Sequence, residues 1–158
     1  LIARGCQRIA LINHDLSYKY ARLREQGYTH ALQEKQRTWQ AVEYAQDLSF
    51  SAGKAAMENL LRADERPDAV FAVSDTLAAG ALLAIHEAGL SMPQDIAVVG
   101  FDGTELAEMV TPPLSTVQPP SREIGRHAVG WLRNTLEDPH APAERIMMDW
   151  HYISRASA

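Results

Sequence analysis

The chain has 158 residues, 46% hydrophobic and 22% charged, with a formal net charge of −5. This is one domain's length with enough apolar material for a packed core. The acidic balance is a poor match for nucleic-acid phosphates, so any contact with DNA is expected to fall to another part of the protein. The lone Cys6 excludes an internal disulfide and suits a reducing compartment. No apolar run approaches the ~20 residues of a membrane span.

Leu1-Ile2-Ala3-Arg4-Gly5 reads as the last turn of a helix closed by its glycine, and a piece of a longer chain is expected. The run 8–13, RIALIN, predicts a buried strand. Residues 17–35 carry Tyr20, Leu23, Tyr28, Ala31 and Leu32 at helical spacing. A second strand is expected near 41–45. A helix follows over 51–62, with Ala55, Ala56, Met57, Leu60 and Leu61 on one side. A third strand enters through Pro67-Asp68. Residues 76–88 form a strongly apolar helix closed by Gly89. DIAVVGFD, 95–102, is the fourth strand and LSTVQ, 114–118, the fifth. An amphipathic helix over 121–136 is expected to turn Ile124, Ala128, Val129, Leu132 and Leu136 inward. A last strand, 145–153, alternates Ile146, Met148, Trp150 and Tyr152.

Strands that are continuously apolar and alternate with helices indicate an α/β fold with a parallel sheet and helices on both faces. Ligands then sit beyond the carboxyl ends of the strands. Asp15, Asp75 and Asp102 each follow a strand, so a parallel sheet gathers three carboxylates on one rim.

RIALI followed by ARLREQGYTHAL, then PDAVFAVSDTLAAGALLAIHEAGLSMPQDIAVVGFD, PPLSTVQPPSREIG and the closing ISRAS resemble the second half of LacI/GalR-family transcription repressors. The similarity runs nearly end to end. It implies a type I periplasmic-binding-protein-like core that holds a sugar or related effector between two lobes. Residues 1–117 would be mainly the C-terminal lobe, 118–138 a crossover helix belonging to the other lobe, and 139–158 a returning strand and tail. It also implies a cytoplasmic homodimer whose DNA-binding helix-turn-helix lies outside this chain, with no membrane contact and no cofactor.

The resemblance implies effector contacts at Arg24 and Asp102. The chemistry agrees, because a guanidinium fork suits paired hydroxyl oxygens and a carboxylate accepts from two adjacent hydroxyls; a solvated helix arginine is the alternative for Arg24. Asp102 is alternatively a cap for a short helix starting near Thr104. Arg22, two residues from Arg24, is expected to face elsewhere. Ser74 is a candidate contact or a strand-end serine bonded to backbone, while Asp75 is expected to cap the following helix. Asp15 and Tyr20, with Tyr18, lie on the loop after the first strand. Phe50, or Leu48 before it, is the candidate for stacking on a sugar ring; loop packing is the alternative for all of these. Helix 77–88 carries few charges and Met109 and Val110 follow beside it, so a dimer interface is expected there.

The histidines 14, 30, 86, 127, 140 and 151 are scattered, and no metal spacing appears. There is no Gly-x-Ser-x-Gly elbow and no phosphate loop, so neither an enzyme nor a catalytic residue is expected. A free sugar-binding protein of a transport system is the alternative function; the repressor-type VSDTLAAGALLAI run argues against it. A phosphoacceptor receiver is set aside because Gln118 stands where its lysine belongs.

Overall fold

The computed structural model describes residues 1–138, 140, 142 and 145–158; Pro139, Ala141, Ala143 and Glu144, part of the expected return segment 139–158, lie outside the described residues. The apolar runs become β1 (Ile9–Asn13), β2 (Ala41–Tyr44), β3 (Ala69–Ala72), β4 (Ala97–Phe101) and β5 (Ser115–Gln118), followed by the short β6 (His151–Ile153). Between them lie α1 (Lys19–Glu34), α2 (Phe50–Arg62), α3 (Asp75–Glu87), the single turn α4 (Leu106–Met109) and α5 (Ser121–Glu137). Gly5 closes the opening turn in the left-handed conformation, as its sequence position predicts.

The sheet order is β2-β1-β3-β4-β5-β6. The first five strands are parallel and β6 runs antiparallel to β5. The chain moves outward from β1 to β2 and then back across to β3. Right-handed crossovers therefore place α1 on one face and α2 with α3 on the other. The order reverses at β1 and β3, and a ligand crevice is expected beyond the carboxyl ends of the strands at such a point.

α2 and α3 approach closely because each offers a glycine at the contact. A Cβ on Gly53 would strike the Leu77 backbone, and one on Gly80 would strike the backbone of Phe50 and Lys54. α3 is apolar all round and is accordingly buried within the chain. Leu77, Ala78, Ala79, Gly80, Ala81, Leu82, Ala84 and Ile85 are all enclosed by neighbouring elements. Its lack of charge, read in the sequence as a sign of a partner, is explained by this internal burial.

α5 corrects the expectation of an inward face. It contains no buried residue, and Ile124, Val129, Leu132 and Leu136 are all exposed. With Ile146, Met148 and Trp150, its Ile124 and Trp131 line an apolar groove of about 660 Å³. The last strand is also shorter than the alternation over 145–153 predicts. His151 pairs with Gln118, the end of β5. Earlier residues would face Pro119 and Pro120, which have no N–H to donate, so the ladder stops there.

The tail is stitched back into the sheet. Ser157 is fully buried; its hydroxyl donates to the Val98 carbonyl at 2.7 Å and accepts from the Ser115 N–H at 2.8 Å. Arg155 donates to the Leu114 carbonyl and pairs with Glu108 at 2.8 Å, tying the tail to α4.

Candidate functional site

The carboxyl ends of the parallel strands carry the expected rim. Arg24 stands on the second turn of α1, behind β1, and reaches across to β3 and β4. Its Nη1 donates to the Val73 carbonyl at 2.7 Å, just past the end of β3. Its Nη2 lies 3.8 Å from the Asp102 carboxylate. The guanidinium lies over the Phe101 ring, 3.7 Å from its centroid, and 5.1 Å from that of Tyr20. The planar cation is thus held by one carbonyl, two aromatic rings and one opposing charge.

Both charged groups are partly desolvated. The Arg24 side chain is 20% exposed and that of Asp102 42%. Burial lowers the pKa of Arg24 below the ordinary guanidinium value, with the Asp102 charge opposing that shift. Burial likewise raises the Asp102 carboxyl above its usual range; Arg24 opposes the rise and Asp75 adds to it. The separation of 3.8 Å is long for a charge-assisted hydrogen bond. A fork and a carboxylate side by side, not fully satisfied by each other, can donate to and accept from adjacent hydroxyls of one ligand.

Tyr20 joins this group. Its hydroxyl meets His14 Nδ1 at 3.1 Å, and its ring and that of His14 flank Tyr18. Phe50 opens α2 on the same rim with its ring exposed, and Leu48 is exposed just before it. Asp15 is taken up by a local turn. Its two oxygens accept from the Ser17 N–H and hydroxyl at 2.8 and 2.7 Å, which lowers its pKa. Arg22 donates to the Leu16 and Ser17 carbonyls, away from Arg24, as its position on the helix predicts.

The helix-cap assignment is corrected. Ser74, not Asp75, caps α3: it has extended backbone angles and its hydroxyl accepts from the Leu77 N–H at 3.2 Å. Asp75 is one residue inside the helix, and its buried carboxylate turns toward Thr104 and Thr116. Asp102 does not cap α4, which is preceded by Glu105 and has no side-chain cap bond.

Sequence reasoning passed over three members of the site. Phe101 stacks under Arg24, although it stood beside Asp102 in the motif; a large ring at a strand end next to a carboxylate was the available signal. Asn13, fully buried at the end of β1, donates to Glu25 at 2.7 Å and accepts from the His14 N–H at 2.8 Å, which shapes the first loop. Tyr44 donates to the same Glu25 from β2. Among the described residues no group of three His, Cys, Asp or Glu side chains forms a metal site. No helix of the described residues is long and apolar enough to cross a membrane.

A doubly wound sheet with a polar rim of this kind is the lobe of a periplasmic-binding-protein-like fold. The family model of that description, the periplasmic binding protein-like domain, matches residues 1–158, and the chain belongs to that family. Among the proteins it is similar to are transcription repressors, including a regulatory protein of the LacI family from Chloroflexus aggregans. The chain is 38% identical to the ribose operon repressor of Escherichia coli, over 100% of this chain and 48% of that protein. A complex of the transcriptional regulator CelR with cellobiose superposes with a TM-score of 0.93 at 33% identity, covering 100% of this chain and 49% of that one. The lac repressor dimer bound to operator and the anti-inducer ONPF superposes at 0.91 with 32% identity, covering 99% and 54%. The chain therefore spans about half the length of the curated relatives it matches.

Proposed function

We propose that this chain is the C-terminal half of the sensing core of a LacI-family transcription regulator, and that it binds a sugar or related small polyol through Arg24 and Asp102. The observation that carries this reading is the pair itself. A half-buried guanidinium and carboxylate lie side by side on an aromatic floor, at the sheet rim where such folds take ligands. The role is that of a cytoplasmic, non-catalytic sensor. A second lobe, supplied by the same polypeptide, closes the site and covers the apolar groove along α5. Residues 118–138 serve that lobe. Effector binding shifts the angle between lobes, and a DNA-binding head reads the shift. Tyr20 and Phe50 are proposed ring contacts, with Ser74 and Asp15 supporting the loops around them. The regulator acts as a homodimer with Met109 at its interface; this side chain is 78% exposed although large and apolar.

Thermal-shift screening of the intact regulator against D-ribose, cellobiose, D-glucose and D-galactose tests the reading. Stabilisation by one of these, lost in Arg24→Ala and Asp102→Ala, is expected. A full thermal response in both variants would place the site elsewhere.

A further inference from the structure

We propose that Asp75 is a positioning residue that fixes the loop 102–104 and thereby aims the Asp102 carboxylate at effector hydroxyls. The inference rests on the sugar-site reading and assigns a task to a buried carboxylate that this reading leaves unused.

Asp75 is 1% exposed. Its Oδ2 accepts from the Thr104 N–H at 2.7 Å and from the Thr104 hydroxyl at 2.9 Å. Its Oδ1 accepts from the Thr116 hydroxyl on β5 at 2.5 Å. The Thr116 oxygen in turn accepts from the Gly103 N–H at 3.3 Å. The Asp102 N–H donates to the Val117 carbonyl at 2.9 Å, and Gln118 Nε2 donates to the Gly103 carbonyl at 3.0 Å. Three successive loop N–H groups are therefore tied down: one to β5 backbone, one to Thr116, one to Asp75.

The loop needs this restraint. Asp102 has φ 119° and Gly103 φ 66°. A residue with a Cβ persists at such an angle only when its surroundings enforce it. The strand makes room for the restraint as well: a Cβ on Gly100 would lie 2.5 Å from Asp75 Oδ1, so glycine in β4 lets the carboxylate seat there. All of the donors around Asp75 are N–H or O–H groups, which an acceptor-only carboxylate satisfies and an amide does not. The bonds end on the residues next to Asp102, while the Asp102 side chain itself stays open toward Arg24.

A pair of substitutions separates positioning from bulk stability. Thr116→Val keeps the shape but removes both the donor to Asp75 and the acceptor for Gly103. Thr116→Ser keeps the hydroxyl but loses a buried methyl. In the intact regulator, hydrogen exchange in peptides covering 101–105 is expected to quicken about tenfold in the valine variant. Affinity for the panel sugar that stabilises the wild type should fall by a similar factor, the effect of losing one hydrogen bond to a charged group. Serine should restore both, even though its melting temperature also drops. Unchanged exchange in the valine variant, or sugar affinity that follows melting temperature across the two variants, would overturn the assignment. If no panel sugar stabilises the wild type, the sugar reading fails by itself, and exchange at 101–105 still decides whether Asp75 and Thr116 hold the loop.

Discussion

α3 and α5 are both rich in apolar side chains, yet one is enclosed and the other bare. α3 is apolar all round and packs against both α2 and the sheet, with its small residues admitting close backbone contact. α5 carries a narrower apolar stripe, and none of its residues is buried. The difference is one of partners. Everything α3 needs is contributed by residues 1–117, whereas nothing among the described residues buries the apolar stripe of α5. Phe101 belongs to both regions, because it floors the Arg24 group and also lines the α5 groove. The candidate site therefore stands on the seam between an enclosed region and an exposed one.

The contrast breaks most visibly through stability. Leu77→Ala should destabilise the 158-residue chain by about 2–5 kcal/mol, since it empties a fully buried position. Leu132→Ala on α5 should stay within about 0.5 kcal/mol. Urea unfolding measures both, and equal losses would mean that α5 is packed after all. In the intact regulator Leu132→Ala should become costly if the second lobe covers that stripe.

Met109 is exposed apolar surface of a third kind, at the end of α4 beside the enclosed region. Met109→Asp should convert a dimeric regulator to monomers in sedimentation without moving the unfolding midpoint of this chain. Val110 is the less clean probe, because it packs partly against the core. Val110→Asp should therefore lose stability together with assembly.

On the seam itself, Arg24→Ala should weaken sugar binding by about 1–3 kcal/mol, the range for removing a charged hydrogen-bond partner. Isothermal titration of the intact regulator reads this directly, and operator affinity without sugar should be retained.

The smallest effect concerns pH. Burial raises the Asp102 carboxyl above its usual range, so the folded state holds that proton more tightly than the unfolded chain does. Its contribution to stability consequently increases as pH falls from the raised folded value toward the unfolded one, and is lost again as pH rises. Asp102→Asn should remove this dependence and leave the chain as stable at neutral pH or more so. The gain should stay under about 1 kcal/mol, since solvent screens a group this exposed. Unfolding curves between pH 4 and 7 test the sign, and sugar binding should be lost in the same variant.

Much of this architecture is legible in the residues. The apolar runs, the helical spacing of α1 to α3 and the glycine after the first turn correspond closely to the observed elements. Arg24 and Asp102 are each singled out by resemblance, while their juxtaposition 3.8 Å apart is visible only in the structure. The cap at α3 was not legible, because Ser74 and Asp75 are both good capping residues and only backbone angles distinguish them. The start of β6 is not legible in alternation alone, since the limit comes from Pro119 and Pro120, just past the end of the neighbouring strand. The burial of α3 and the exposure of α5 were misjudged together, because periodicity shows that a face is apolar and not what lies against it.

The sequence by itself determined the parallel α/β fold and the three carboxylates that follow its strands, because strand and helix periods are local and the sheet rim follows from connection order. Asp15 closes a local turn with Ser17, but tertiary structure alone decided the work of the other two: Asp75 ties the loop after β4, and Asp102 faces Arg24. Asp15 takes its donors from Ser17 two residues on, whereas the donors to Asp75, Thr104 and Thr116, arrive from 29 and 41 residues away, and long-range donors of this kind leave no local pattern.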